Sequence, residues 1–233
     1  MVSVTCLISC SPIKSHPSTD IIDDCINSLK EKLPGCPILV MADGVRAEQE
    51  DYAPRYKKFL TRLQKKYPDI EVHSMPEHRH QARTMQTCLV EVTTPVILFI
   101  EHDMALKGHI PVDEMVEMIT SGKADLIRLL YEDNDLINYT HLMMEQVGDY
   151  TKTKQWSQRP HFASLAYYKR ILQDNFSPNS KTFIEDRMHG VIEAEDNWNN
   201  NKLWTYTPEL PVQRFTYRDG REDDSKYEDK LIF

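Results

Sequence analysis

The first half of the chain alternates between short apolar runs and longer segments with helical spacing. The apolar runs have the length of buried strands, and they are Val2 to Ser9, Ile38 to Met41, Ile70 to His73 and Pro95 to Ile100. Between them, apolar residues recur every three or four positions and predict three helices, at Asp20 to Leu33, Tyr52 to Lys66 and Gln81 to Val92. This alternation predicts an α/β fold with a mainly parallel central sheet and helices on both faces.

The second half is less regular. It contains two predicted helices, Val112 to Ser121 and Phe183 to Glu195, two predicted strands, Asp125 to Leu130 and Leu203 to Thr207, and a strand that runs into a helix, Phe162 to Leu172. Tyr131 to Lys154 is polar and receives no assignment. The tail from Arg218 to Lys230 is heavily charged, which predicts a solvated arm or a lid. With no internal repeat and no low-complexity linker, residues 1–233 are expected to form one domain.

Composition and charge narrow the class of protein. The 233 residues are 40% hydrophobic and 27% charged, with a net charge of −8, so general attraction to nucleic acid or to anionic membranes is not expected. The five cysteines are odd in number and form no C-x-x-C pair, which argues against a disulfide framework and a cysteine zinc site. No segment has the apolar length of a membrane span or the features of a signal peptide. We therefore expect a soluble, cytoplasmic protein without integral membrane association.

The strongest chemical signal follows the most apolar strand. That strand leads directly into Glu101-His102-Asp103, and ligands of open α/β sheets lie at the carboxyl ends of strands. Carboxylates there can hold a hard divalent cation such as Mg²⁺ through oxygen ligands. The alternative is that strand ends are acidic because turns are polar.

Two further polar positions lie near the same predicted edge. Asp43 ends the second strand before Gly44, where its carboxylate can accept hydrogen bonds from a base or ribose; an ordinary Asp-Gly turn is the alternative. Arg83 lies near the start of the third helix, where a guanidinium group can bind phosphate; a solvated helix face is the alternative.

The order of these features resembles the family 2-like glycosyltransferases of GT-A fold, of the soluble type found in bacteria, viruses and phages. The resemblance rests on four segments, Val4 to Ser9, Met41 to Gly44, Gln81 to Thr84 and Leu98 to Asp103. It implies that Asp43 contacts a nucleotide base and that Ser9 and Arg83 belong to the donor site. It also implies that Glu101 and Asp103 hold Mn²⁺ or Mg²⁺ and the diphosphate of a nucleotide-sugar.

Two departures from the family pattern qualify these roles. The family segment Ala-Arg-Asn is Ala-Arg-Thr here, and Asp-x-Asp is Glu101-His102-Asp103. The second departure places Asp103 ahead of Glu101 as the metal ligand.

The back half carries an acidic pair at the start of a predicted helix. By resemblance to inverting members of the family, Asp186 is the candidate general base, and Glu185 is the second candidate. The alternative is that both carboxylates stabilise the helix dipole. His189, one turn later, is a candidate third metal ligand or a packed side chain.

A dense polar segment precedes the Phe162 strand. Trp156 can stack on a sugar or base, and Arg159 and His161 lie beside it, so these three are candidate acceptor-binding residues. Alternatively, Trp156 covers a core edge and Arg159 pairs with an acid.

The hypothesis that joins these observations is a metal-dependent hexosyl- or pentosyltransferase. Residues 1–106 would bind a nucleotide-diphosphate sugar, and residues 107–233 would bind a hydroxyl acceptor, either a glycan or a hydroxymethylated DNA base, with inversion at the sugar. One alternative is a nucleotidyltransferase acting on a sugar phosphate, although the loop from Ser9 to Pro17 has no glycine to cradle phosphates. The other is a non-catalytic module that binds a nucleotide-sugar or glycan.

Overall fold

The central feature of the computed structural model is a nine-stranded sheet. The structure describes residues 3–131, 138–195, 197–208 and 213–218, and in this part of the chain the sheet has the order β3-β2-β1-β4-β9-β6-β10-β8-β7. The strands are β1 (Val4–Cys10), β2 (Ile38–Ala42), β3 (Glu71–Ser74), β4 (Val96–Glu101), β5 (Met104–Leu106), β6 (Leu126–Arg128), β7 (Met143–Val147), β8 (Tyr150–Thr153), β9 (His161–Ser164), β10 (Leu203–Tyr206) and β11 (Phe215–Tyr217).

Most strands of this sheet run in one direction. Strands β1 to β4 pair in parallel, and β6 and β10 pair in parallel with each other. Strand β9 is antiparallel to its neighbours β4 and β6, and β8 is antiparallel to β10 and β7. Only β8 and β9 of the nine therefore point the opposite way, which matches the expected mainly parallel sheet.

In the described part of the chain, six α-helices with defined bounds cover the two faces of the sheet. They are α1 (Asp20–Lys32), α2 (Ala53–Lys66), α3 (His80–Cys88), α4 (Val112–Thr120), α5 (Leu165–Asn175) and α6 (Ile184–Ala194). A 3₁₀ turn, Ala47–Tyr52, precedes α2.

Each face of the sheet has its own apolar core. One core packs α1, α2 and α4 against alternate residues of the central strands, such as Cys6 and Ile8. The other packs α3, α5 and α6 against the intervening residues, such as Leu7 and Phe99. Because β1 and β4 are buried on both faces, their sequences are continuous apolar runs rather than alternating patterns.

The segment without a sequence assignment contains a hairpin. Strands β7 and β8 pair across a turn in which Gly148 has a φ of 58°, a conformation that favours glycine. Four of the five β7 residues are exposed, so this edge strand carries no apolar alternation.

The C-terminal segment returns to the end of β4. Strand β5 follows directly after Asp103, and β11 pairs with it in antiparallel orientation. The backbone N–H of Arg218 donates to the carbonyl of Asp103 at 2.8 Å. Of the predicted charged arm, residues 219–230 lie outside the described residues. Within the described part of the chain, no helix is both long enough and apolar enough to cross a membrane.

Candidate active site

A cleft of about 370 Å³ opens at the carboxyl ends of β1, β2 and β4. These ends meet because the three strands are parallel neighbours, with Ser9 in register with both Met41 and Glu101. Four predicted donor-site residues line the cleft together, namely Ser9, Asp43, Glu101 and Asp103. The topology thus assembles at one edge side chains from three strand ends that are far apart in sequence.

Asp43 binds the start of α3. One carboxylate oxygen accepts hydrogen bonds from the backbone N–H groups of Gly44 and Arg79, each at 2.8 Å. The other accepts from the His80 N–H at 3.0 Å and lies 2.8 Å from Nδ1 of His78. With the Thr84 hydroxyl at 3.3 Å as well, protein donors fill the accepting capacity of this carboxylate. The geometry therefore favours a positioning role over the predicted direct contact with a base.

Gly44 is required for this arrangement by close approach of the backbone. A Cβ atom at Gly44 would lie 2.1 Å from the carbonyl carbon of Glu77. The Asp-Gly pair therefore does more than close a turn: the carboxylate binds the 77–80 backbone, and the missing side chain makes room for it. His80 completes the connection with a φ of 64°, which is uncommon for a residue other than glycine.

The acidic end of β4 has an oxygen atom suited to a cation. Oδ1 of Asp103 is buried and has no hydrogen-bond partner in the described structure. Glu101 lies at the end of β4 and accepts a hydrogen bond from Nε2 of Gln158 at 3.0 Å. Between them, His102 is buried, and its backbone N–H donates to the carbonyl of Ser9 at 3.0 Å. Buried polar atoms rarely lack a partner, so the unpaired Asp103 oxygen fits a metal ligand.

Glu101 and Asp103 are two carboxylates that do not form a closed metal cage with other described residues. In the described residues, the one group of three side chains with ligand atoms close enough to share an ion is Glu71, His73 and Glu91, at the β3 edge. Mg²⁺ and similar ions commonly use one or two carboxylates and take their other ligands from substrate phosphates and water. The residues at the end of β4 fit that kind of site.

The structure places Arg83 on α3 but not on the wall of the cleft, where Arg46 is the lining arginine instead. The histidines His78 and His80 also line it. Arg46 lies two residues past Gly44 in an irregular segment, and no helical or strand period could have pointed to it. His78 and His80 were within reach of sequence reasoning, because they stand in the polar run before α3.

The two carboxylates at the start of α6, Glu185 and Asp186, differ in burial and in their partners. Glu185 is half-buried, and its carboxylate lies 3.6 Å from Nε2 of His189. Burial acts to raise the pKa of Glu185, but hydrogen bonds from His189, the Gln158 backbone and Ser157 outweigh it and hold the pKa below its ordinary value. The side chain of Asp186 is exposed and has no hydrogen bond or ion pair with another described residue.

His189 is not brought to the acidic end of β4 as a third ligand. Its imidazole is paired with Glu185 on the same helix, and no group of metal-ligating atoms among the described residues includes it. The structure therefore supports a role for His189 in holding Glu185 rather than a metal.

A segment between β8 and β9, residues 154–160, joins the parts of the site. Gln155 accepts a hydrogen bond from the Arg128 guanidinium at 2.8 Å, and Gln158 donates to Glu101. Ser157 and the backbone of Gln158 bind Glu185. We call residues 154–160 the bridging segment.

Two of the three predicted acceptor-binding residues lie in the interior. Trp156 and His161 are each 0% exposed. The His161 ring lies 2.7 Å from the Arg159 carbonyl and 2.8 Å from the Tyr168 hydroxyl, and burial lowers its pKa to about 4. A side chain without exposed surface cannot stack on a ligand, so the structure corrects the prediction for Trp156 and His161 to core positions. Arg159 is half-buried and stays a candidate.

The chain is similar in structure, but not detectably in sequence, to known proteins. No protein-family model matches the sequence, and no curated protein is significantly similar to it. Among solved structures, GalNAc-T7 with UDP, GalNAc and Mn²⁺ is similar to 95% of this chain, with a TM-score of 0.63 and 9% identity. The mannosyltransferase PcManGT from Pyrobaculum calidifontis, in complex with GDP-Man and Mn²⁺, is similar to 91% of the chain, with a TM-score of 0.59 and 11% identity. The bifunctional IspDF from Campylobacter jejuni is similar to 97%, with a TM-score of 0.53 and 12% identity.

The chain spans about half the length of these neighbours, covering 45%, 56% and 54% of them respectively. At such low identity the likeness concerns the fold, not the activity. It confirms the expected GT-A fold, and the family 2-like assignment stays a prediction. The chain thus has the architecture that glycosyltransferases of known structure use, with an acidic cleft at the expected edge.

Proposed function

We propose that the protein is a metal-dependent glycosyltransferase that moves a sugar from a nucleotide-diphosphate sugar to a hydroxyl acceptor. The observation that carries this proposal is the acidic end of β4, where Glu101 and Asp103 line a cleft and one Asp103 oxygen is buried without a partner. A divalent ion held there would neutralise the diphosphate as it leaves the sugar. The GT-A neighbours whose complexes contain Mn²⁺ with GDP-Man or UDP support the same interpretation.

The residues around the cleft would have distinct tasks. Asp43 would hold the start of α3 against the end of β2, which fixes the wall formed by His78 and His80. Ser9 and Arg46 would contact the donor, since both line the cleft. Arg83, predicted for the donor phosphates, would need a side-chain movement to reach them.

Removal of the acceptor proton is assigned to the start of α6. Asp186 is our candidate base because its carboxylate is exposed and makes no bond to other described residues, whereas Glu185 is committed to His189 and the bridging segment. Direct displacement with this base would invert the anomeric configuration. Glu185 would then position the helix end rather than take the proton.

A release assay with a panel of nucleotide-sugars tests the proposal. Wild-type protein with Mn²⁺ is expected to release the nucleoside diphosphate from one donor, by transfer to added acceptors or slowly to water. Asp103→Asn is expected to abolish release, while Asp113→Asn, a first-turn carboxylate of α4, is expected to retain it. Absence of release from every donor and acceptor, or full activity of Asp103→Asn, would contradict the proposal.

Nucleotidyl transfer to a sugar phosphate is the alternative that the sequence leaves open. The segment after β1 argues against it, because residues 11–17 contain no glycine and such enzymes cradle a nucleoside triphosphate with a glycine-rich loop. The two activities give different products. A nucleotidyltransferase would release pyrophosphate from a nucleoside triphosphate and a sugar phosphate, and our proposal predicts none.

A further inference from the structure

The most unusual buried group outside the donor cleft is the guanidinium of Arg128. Arg128 is the last residue of β6 and only 1% exposed. Its Nη1 donates to Oε1 of Gln155 at 2.8 Å, but Nε and Nη2 have no hydrogen-bond partner among the described residues. A charge taken out of water in this way is destabilising unless something pairs with it.

The two unpaired nitrogens are the ones that bind oxyanions. Nε–H and Nη2–H lie side by side on one edge of the planar guanidinium group, and this fork matches the two oxygens of a carboxylate or phosphate. Gln155 holds the remaining nitrogen and so fixes the plane of the group. The orientation of the guanidinium group is thus fixed, and its Nε and Nη2 atoms have no hydrogen-bond partner among the described residues.

A neighbouring hydroxyl adds a third donor. Arg128 is in register with His161 on β9 and with Thr205 on β10, so the three side chains project from the same face of the sheet. Oγ1 of Thr205 is also buried without a partner. His161 has both ring nitrogens engaged, which leaves Arg128 and Thr205 as adjacent unpaired donors.

Neighbouring ionisable groups act on the pKa of Arg128 in both directions. Burial and the nearby Arg159 lower the pKa of Arg128 to about 9, and Glu185 and Tyr139 act in the opposite direction. The guanidinium therefore stays charged at neutral pH.

We propose that Nε and Nη2 of Arg128, with the Thr205 hydroxyl, bind an oxyanion carried by the acceptor, either a carboxylate or a phosphate group. The assignment to the acceptor rests on the proposed function, because the bridging segment links Gln155 beside Arg128 to Gln158 on Glu101. Since Arg128 is enclosed, the anion enters when the bridging segment moves. The acceptor class would then be an acidic glycan or a phosphorylated compound rather than a neutral sugar.

Anion-dependent thermal unfolding tests this site. The protein would be titrated in EDTA with inorganic phosphate and, separately, with acetate, each against NaCl at equal ionic strength. The wild type is expected to be stabilised by at least one of the two anions, and which one distinguishes a phosphate from a carboxylate. Arg128→Met is expected to weaken binding about tenfold or more, because charge-assisted hydrogen bonds are lost. The control Arg170→Met, an exposed arginine on α5, should retain wild-type binding.

Thr205→Val, which keeps the shape of the side chain, provides a second variant if Arg128→Met does not fold. It should also weaken anion binding. No stabilisation of the wild type beyond NaCl, or unchanged anion affinity in the folded variants, would overturn the proposal. The anion titration is done in EDTA, so its result does not depend on metal-dependent turnover of a nucleotide-sugar. If the protein binds the anion but turns over no donor, the anion site is supported and only its assignment to a glycosyl acceptor is refuted.

Discussion

Gln158 donates a hydrogen bond to the carboxylate of Glu101 at 3.0 Å. This contact attaches the bridging segment to the acidic end of β4. The same segment binds Glu185 through Ser157 and the Gln158 backbone, so the acidic end of β4 and the start of α6 share one support. The bridging segment therefore joins the two halves of the chain. The front half lines most of the cleft, and the back half holds the candidate base.

Replacing Asp43 by Asn is expected to destabilise the protein by about 2–3 kcal/mol, since a buried carboxylate that accepts several hydrogen bonds loses its charge and one accepting oxygen. Urea unfolding measures this change. Asp24→Asn is the control, because Asp24 is exposed and pairs with Arg218 at the surface, where an ion pair contributes at most about 1 kcal/mol. Equal effects in the two variants would contradict the positioning role of Asp43.

Gly44→Ala is expected to cost about 1–3 kcal/mol, because the new Cβ would overlap the Glu77 backbone. Gly190→Ala is the matched control: it lies within α6, where a Cβ would meet no atom within 4 Å. Alanine there should stabilise the helix by about 0.5–1 kcal/mol. Thermal unfolding of both variants separates the two effects, and a neutral Gly44→Ala would refute the close-approach argument.

The four parallel strands and three helices of the front half could be predicted from sequence because buried parallel strands and amphipathic helices have clear periods. The cleft could be located for the same reason, since Asp43 and Glu101 end adjacent strands. Asp43's partners could not be foreseen, because they are backbone N–H groups placed by the 77–80 turn. The sequence could not decide between a binding and a core position for Trp156, because a polar neighbourhood in sequence does not determine exposure. Arg128 gives no signal in the sequence, because it lies within an apolar run and its burial depends on pairing with β9 and β10.

Acid is expected to destabilise the protein through His161. Its pKa is about 4 in the folded protein and about 6.5 when unfolded, so the unfolded state takes up a proton first as pH falls. Stability should therefore decline by about 3 kcal/mol between pH 6.5 and 4 from this group alone. His161→Gln should have lower stability at pH 7 and a shallower decline, measured by urea unfolding across this range. The control is His109→Gln, a change at an exposed histidine that should leave the decline as in the wild type. If the stability of His161→Gln declines with pH as steeply as that of the wild type, the assignment to His161 is contradicted.

Glu185 is expected to act in the same sense as His161, but at lower pH. Its pKa is depressed in the folded protein, so its contribution is present above the unfolded value of about 4.3 and is lost as pH falls through the folded value. The stability difference between wild type and Glu185→Gln should thus be largest near pH 7 and shrink below about pH 4.

Thermal unfolding with UDP, GDP, CDP, ADP and dTDP, each with Mn²⁺ or with EDTA, tests the central claim most directly. A ligand that binds only the folded state at a hundred times its dissociation constant adds about 2.7 kcal/mol. The account predicts a shift with at least one diphosphate that disappears in EDTA and in Asp103→Asn. A folded wild-type protein that shows no shift with any diphosphate, or the same shift in EDTA, would contradict a metal-dependent nucleotide-sugar site.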